Sequence, residues 1–268
     1  MMELWKRRLH VEIDNKVIPS DLTVEFKINF SEKPDVDTGD LKIYNLSKHT
    51  IRAIKSNSVV RISAGYESTY GNIFYGNILY VSTTWNGPDK ITEITLGDAT
   101  QSYRKMRYGK SFAPGTTNDE VLAHLITQSG LGIGDLDTTR NPVHKNGLRV
   151  DGRLYDLIQK YVNLSNSKFY IKNMRAYIRP RGKANQMTWL LNKDTGLVDT
   201  PEPIETEIDE VVYNGYKVKS LLNHNIDVDN VIRIDSRTAR GEFRVSSGTH
   251  EGGNNENSYY TTMEVYPV

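Results

Sequence analysis

Between Leu22 and Phe30 the chain alternates without a break: Leu22, Val24, Phe26, Ile28 and Phe30 are apolar, with Glu25, Lys27 and Asn29 between them. Successive side chains of a strand point to opposite faces, so this period of two specifies a strand with one buried and one wet face. The stretch Asp40–Tyr80 adds three more strand-like runs. Leu41 and Ile43 alternate with Lys42 and Tyr44; Val-Val-Arg-Ile-Ser-Ala-Gly-Tyr follows, and then Asn-Ile-Phe-Tyr-Gly-Asn-Ile-Leu-Tyr. Between the first two, Ser47 is placed to cap a helical turn carrying Ile51 and Ile54. Gly65 and Gly76 sit within strand runs, where glycine marks a bulge or a close backbone approach.

The rest of the chain is organised around that pattern. Val11, Ile13, Val17 and Ile18 precede it. Pro34, Asp35, Asp37 and Asp40 mark a loop, Asn86-Gly87-Pro88 a turn, and Ile94 and Leu96 a return strand. Residues 1–105 therefore read as an N-terminal β-barrel-like domain. Residues 106–182 read as an α+β insert. Thr117 and Glu120 match the capping box, Val121, Leu122, Leu125 and Ile126 form a helical stripe, and Gly130 ends it. A second helix starts near Asp151, with Leu154, Leu157, Ile158 and Tyr161 at i, i+3, i+4 and i+7. A hairpin spans Phe169 to Ile178. Residues 183–210 are polar, contain Pro201 and Pro203, and read as a linker. Residues 211–268 return to β, with Gly215 as a bulge and Gly248–Asn257 as a flexible hairpin tip. The expected class is mainly β, with two small β-barrel-like domains flanking an α+β region.

Composition excludes several chemistries. The 268 residues contain no Cys, which removes disulfides, Cys-ligated zinc and Cys nucleophiles and suits a reducing cytoplasm. The formal net charge of +1 argues against a dedicated nucleic-acid binder, although Lys6, Arg7 and Arg8, or Arg104, Lys105, Arg107 and Lys110, could form a local basic patch. Those charges read as solvated strand ends. The N-terminus lacks the apolar core of a signal peptide, and no run approaches a membrane span.

The residues that usually carry catalysis are present but not arranged for it. His10, His49, His124, His144, His224 and His250 show no His-x-x-x-His spacing, and His124 reads as a half-buried structural residue. Gly130-Leu-Gly-Ile-Gly134 follows a helix rather than a strand, so it reads as a helix stop and turn. Asp209 with Glu210, Asp227 with Asp229, and Asp135 with Asp137 are sequence neighbours, which do not hold two carboxylates across a cleft. No calcium loop and no Gly-x-Ser-x-Gly elbow occurs. No catalytic, cofactor-binding or metal-binding residue is assigned, and no cofactor is expected.

With these residues in view, the chain resembles the baseplate hub proteins of long-tailed phages and related contractile injection systems. The likeness lies in Leu-Lys-Ile-Tyr-Asn-Leu-Ser, Val-Arg-Ile-Ser-Ala-Gly-Tyr and Asn-Ile-Phe-Tyr-Gly-Asn-Ile, then Gly115–Leu122, Leu154–Ile178, Asp194–Pro201, Gly215–Asn223, Gly241-Glu-Phe-Arg-Val and His250-Glu-Gly, all in order. The resemblance implies a structural homotrimer that acts as a ring of six similar units. It would dock on a tail tube or distal tail protein, hold a central spike or tip, and meet a tape measure protein. It would be assembled in the host cytoplasm, sit at the virion tail tip and take part in genome ejection. Tyr66, Tyr70, Tyr259 and Tyr260 are the expected interface tyrosines. Two other readings remain: a tail-associated cell-wall hydrolase, and a carbohydrate-binding module using Trp5, Trp85 and Trp189.

Overall fold

The computed structural model describes residues 6–34, 37–98, 105–208 and 211–268. Trp5, Asp35, Arg104, Asp209 and Glu210 lie outside the described residues. In chain order the strands are β1 (Arg7–Ile13), β2 (Lys16–Val17), β3 (Val24–Ser31), β4 (Thr38–Tyr44), β5 (Val59–Tyr66), β6 (Thr69–Asn86) and β7 (Asp89–Gly97). Next come β8 (Arg107–Phe112), β9 (Thr116–Thr117), β10 (Gly132–Leu136), β11 (Val143–His144), β12 (Leu148–Arg153), β13 (Ser167–Lys172) and β14 (Arg175–Pro180). The last six are β15 (Met187–Leu191), β16 (Glu202–Ile208), β17 (Val211–Leu221), β18 (Val231–Asp235), β19 (Arg240–Gly253) and β20 (Tyr259–Pro267). The chain divides into two units: residues 1–31, 38–97 and 184–268 form the first, and residues 32–37 and 98–183 the second.

The first unit is a 13-stranded sheet with the order β16-β17-β20-β19-β3-β4-β7-β6-β5-β1-β2, and with β15 and β18 branching from β19. The alternation that opens the sequence is realised in β3: Val24, Phe26, Ile28 and Phe30 are buried, while Glu25, Lys27 and Asn29 face outward. Leu41, Ile43, Val60, Ile62, Ile78, Ile94 and Leu96 pack on the same core. Each such side chain contributes about 1.5–3 kcal/mol by leaving water. Ser47 caps the six-residue helix Lys48–Ala53 by accepting from the Thr50 N–H.

β3 also pairs antiparallel with β19, from Ser247↔Ser31 to Gly253↔Glu25. This pairing joins the early and late β blocks in one sheet, and among the described residues no strand pair closes either block into a ring. Alternation shows which face a strand buries but not which strand lies beside it. The stretch read as a flexible tip is largely strand: Gly248 to Gly253 belong to β19, and only residues 254–258 turn. A methyl group on Gly248 would lie 2.4 Å from Phe30 Cζ and 2.6 Å from the Thr262 carbonyl oxygen; one on Gly252 would lie 2.5 Å from Tyr259 Cδ2. These glycines therefore admit aromatic rings from neighbouring strands. Gly215 is likewise no bulge. It keeps register with Ile204, and a methyl there would lie 2.4 Å from the Val265 carbonyl oxygen. Gly65, at φ +150 and with the Thr69 carbonyl oxygen 2.0 Å from any added Cβ, is a true close approach. Strands β15 and β16 fall within the stretch read as linker, where prolines and charges obscure the alternation.

In the second unit the Thr117–Glu120 capping box forms in full at the helix Asn118–Gln128. A second helix runs Leu154–Leu164; Asp151, where it was expected to begin, lies in β12 instead. Both helices pack on Phe169, Ile171, Ala176 and Ile178 of the β13–β14 hairpin. That hairpin turns through Asn173 and Met174, both at positive φ as a type I′ turn requires. Gly130 ends its helix at φ +80, but the residues after it form β10, which runs parallel to β14. β8 and β12 pair only with each other among the described residues.

Candidate assembly surface

Reactive side chains in the first unit are dispersed and occupied. His250 is buried, with Nδ1 2.9 Å from Thr261 Oγ1 and its ring against Phe30. Asp229 is fully buried and pairs with Arg244 at 3.1 Å. Lys6 and Arg8 both bind Glu67, and these two cations hold its carboxyl below the usual range. Arg7 donates to the Glu256 and Asn257 carbonyl oxygens. That N-terminal cluster is therefore held internally.

The second unit shows the same dispersal. His124 is half-buried between Tyr108 and Lys110; burial, and then the Lys110 charge, lower its pKa. Asp135 pairs with Arg179, and Asp137 with Lys183. Glu120 is lowered by the Thr117 backbone and hydroxyl that it caps. Among the described residues no group of three His, Asp or Glu could hold a metal, and no helix is long and apolar enough to cross a membrane.

What the first unit does present is a broad polar sheet face with open edges. One cross-strand row runs Tyr260–Glu251–Lys27–Asp40–Thr95–Tyr80 from β20 to β6. Its neighbours Glu25, Lys42, Glu93 and Ser82 form the next row. Lys42 pairs with Glu93 at 3.3 Å, Thr249 donates to Asn29 at 3.0 Å, and Lys219 stands 4.4 Å over the Tyr260 ring. Opposite charges directly across strands each add a few tenths of a kcal/mol and keep the face wet.

β6 pairs with β5 only as far as Asn77; from Leu79 to Asn86 it pairs, among the described residues, with β7 alone. At the end of the strand order, β16 pairs only with β17 among the described residues. Unpaired strand edges are templates for pairing with another chain. Aromatic groups cluster near these edges: Tyr80 is 63% and Trp85 70% exposed on β6, and Tyr213 is 44% exposed on β17. Lys90 lies 5.9 Å over the Trp85 ring. Beside β16, a hollow of about 580 Å³ is lined by Pro203, Ile204, Glu205, Asn214, Gly215, Tyr216, Phe243 and Pro267.

The tyrosines expected at an interface divide. Tyr70 is exposed and Tyr260 half-exposed, but Tyr66 and Tyr259 are buried. The Tyr259 hydroxyl accepts from the Gly65 N–H at 2.9 Å and donates to the Arg8 carbonyl oxygen at 2.6 Å. It ties β20 to β5 and β1 rather than to a partner. Tyr80, Trp85 and Tyr213 take the exposed role, and open edges were not visible before strand neighbours were known. Trp85 is not a core residue, and Trp189 is half-buried.

A sequence profile described as baseplate hub gp41 matches residues 39–265. No curated protein matches the chain in sequence. Among solved structures, the tail protein from Neisseria meningitidis MC58 is similar at a TM-score of 0.70 and 8% identity, covering 98% of this chain and 97% of that one. The prophage MuSo2 43 kDa tail protein from Shewanella oneidensis is similar at 0.67 and 8%, with 98% of both chains covered. The Escherichia coli c3393 protein, a component of the type VI secretion system, is similar at 0.63 and 9%, covering 96% of this chain and 76% of that one. At such identities these likenesses establish a shared fold.

Proposed function

This chain belongs to the baseplate hub gp41 family, and from that membership we propose that it is a structural hub that closes into a homotrimeric, pseudo-sixfold ring. The ring joins a tail tube or distal tail protein to a central spike or tip, contacts the tape measure protein and surrounds the path of genome ejection. The observation that carries this reading beyond the family is the pair of unlike open edges, β6 from Leu79 to Asn86 and β16. Two different edges, each able to pair with the other rather than with itself, favour head-to-tail contacts, and head-to-tail contacts close into rings when the rotation permits. The polar row from Tyr260 to Tyr80 suits a face turned to water, as a channel lining would be.

The test uses the absence of native Cys. Ser82→Cys in β6 combined with Thr206→Cys in β16, treated with a short bis-maleimide, should give cross-linked species up to trimer. Mass photometry of the unmodified chain should show the same stoichiometry. A chain that stays monomeric at high concentration and in assembled tails, with no cross-link, would overturn the ring. We assign no catalytic role. Clearing of host cell wall by the purified chain, abolished by a single Asp or Glu substitution, would reverse that assignment.

A further inference from the structure

The charge of the chain is unevenly spread. The second unit contains sixteen Lys and Arg against ten Asp and Glu, a net charge of +6, which leaves −5 on the first unit. Part of this excess lies on the ribbon formed by β8 and β12. The register sets Arg153 opposite Arg107, Asp151 opposite Gly109 and Arg149 opposite Ser111. All six residues are exposed on one face, while Tyr108, Phe112, Leu148 and Val150 on the other face pack on the helical core. Among the described residues, the guanidinium groups of Arg107, Arg149 and Arg153 make no ion pair or hydrogen bond within the chain.

This arrangement does nothing for the ribbon itself. Like charges directly across a strand pair are destabilising. Glycine in a strand interior weakens it and is found where another backbone approaches. At Gly109 nothing among the described residues explains the missing side chain, because an added Cβ would find none of their atoms closer than 3.8 Å. The three cations are all Arg, the residue enriched at interfaces and able to bind carboxylates through two parallel hydrogen bonds.

We propose that the outer face of the β8–β12 ribbon docks an acidic strand of a partner protein. Its carboxylates pair with Arg149 and Arg153–Arg107, and its backbone lies over Gly109. Asp151 sets the pattern. It stands between Arg149 and Arg153, so the partner must present acid, base or donor, then acid, at alternate positions about 13 Å from end to end. A nucleic-acid backbone would set a phosphate against Asp151 and is disfavoured. The proposal holds whether or not copies of the chain form a ring.

Isotopically labelled chain, titrated by NMR with a peptide of Glu-Thr-Lys-Thr repeats, tests it. The repeat peptide should shift the Gly109 and Ser111 amides. It should bind at least about tenfold more tightly than a Glu-Glu-Lys-Lys-Thr-Thr-Thr-Thr permutation, which never sets two acids four residues apart, or a short DNA duplex. Replacement of Arg107, Arg149 and Arg153 by Ala should remove that preference while the melting temperature holds or rises; three exposed ion pairs correspond to roughly a tenfold change. Tighter binding of the duplex would overturn the proposal in favour of nucleic acid. Shifts elsewhere, no preference between peptides, no binding, or unchanged binding by the triple variant would each overturn it as well.

Discussion

Gly248 in β19 and Gly109 in β8 both lie mid-strand, paired across an antiparallel ladder. A methyl group on Gly248 would strike the Phe30 ring and the Thr262 carbonyl oxygen, whereas one on Gly109 would touch nothing closer than 3.8 Å. In β19 the glycine is dictated from inside, because the ring of Phe30 occupies the space of the absent side chain and welds two distant β blocks into one sheet. In β8 the interior makes no such demand. The same residue in the same local structure thus serves the fold in one unit and leaves a shallow, cationic face open to the outside in the other. Substitutions that separate these two roles should differ in size and in kind.

The largest effect is expected at the seam. Gly248→Ala must displace either an aromatic ring or backbone, and overpacking of this kind costs about 3 kcal/mol. Urea denaturation measures it; a loss below about 1 kcal/mol would mean that the seam yields easily and the comparison fails.

Tyr259→Phe comes next. It leaves the Gly65 N–H and the Arg8 carbonyl oxygen without their shared partner, which costs about 1–3 kcal/mol for a buried site. The same hydroxyl predicts a pH dependence. Burial holds the Tyr259 phenol well above its ordinary value of about 10. The neutral form is the one the fold favours, so its contribution is complete below pH 10 and is lost as pH rises above 10 towards the folded value. Wild-type stability should fall there by up to about 1.4 kcal/mol per pH unit, and Tyr259→Phe should flatten that part of the slope.

A smaller change is expected behind the ribbon. Thr117 accepts from the Glu120 N–H, and Glu120 accepts from Thr117 in return, at the start of the helix that backs β8 through His124. Thr117→Ala should cost about 1 kcal/mol. Thermal melting checks this, and a neutral result would show that the ribbon's packing, not the cap, fixes the helix.

How far the sequence discloses this arrangement depends on what each signal encodes. The β3 alternation, the Thr117–Glu120 box and the Leu154–Tyr161 stripe are local, and they appear where their residues place them. The β3–β19 pairing joins residues more than two hundred positions apart, and nothing in either strand names the other. Glycines at 248 and 252 look like flexibility until Phe30, Phe26 and Tyr259 are seen across the ladder. β8 is hidden for the opposite reason. Arg107, Gly109 and Ser111 carry no apolar signal because that face is not buried, so the ribbon that holds the proposed docking site reads as a polar connection. The open edges of β6 and β16 are properties of neighbours rather than of residues.

The smallest expected change in stability is the most discriminating. Gly109→Ala puts a methyl group into open space on a backbone that any residue can adopt. Such a change stabilises by about 0.4–1 kcal/mol because the unfolded chain loses freedom. If Gly109 is glycine for reasons internal to the ribbon, the substitution should instead destabilise, and the contrast with Gly248 disappears. If it is glycine so that a partner backbone can lie close, the variant should melt at or slightly above the wild type and still bind the Glu-Thr-Lys-Thr peptide more weakly. Stability and binding moving in opposite directions at one exposed residue is the outcome that an ordinary solvated strand would not produce.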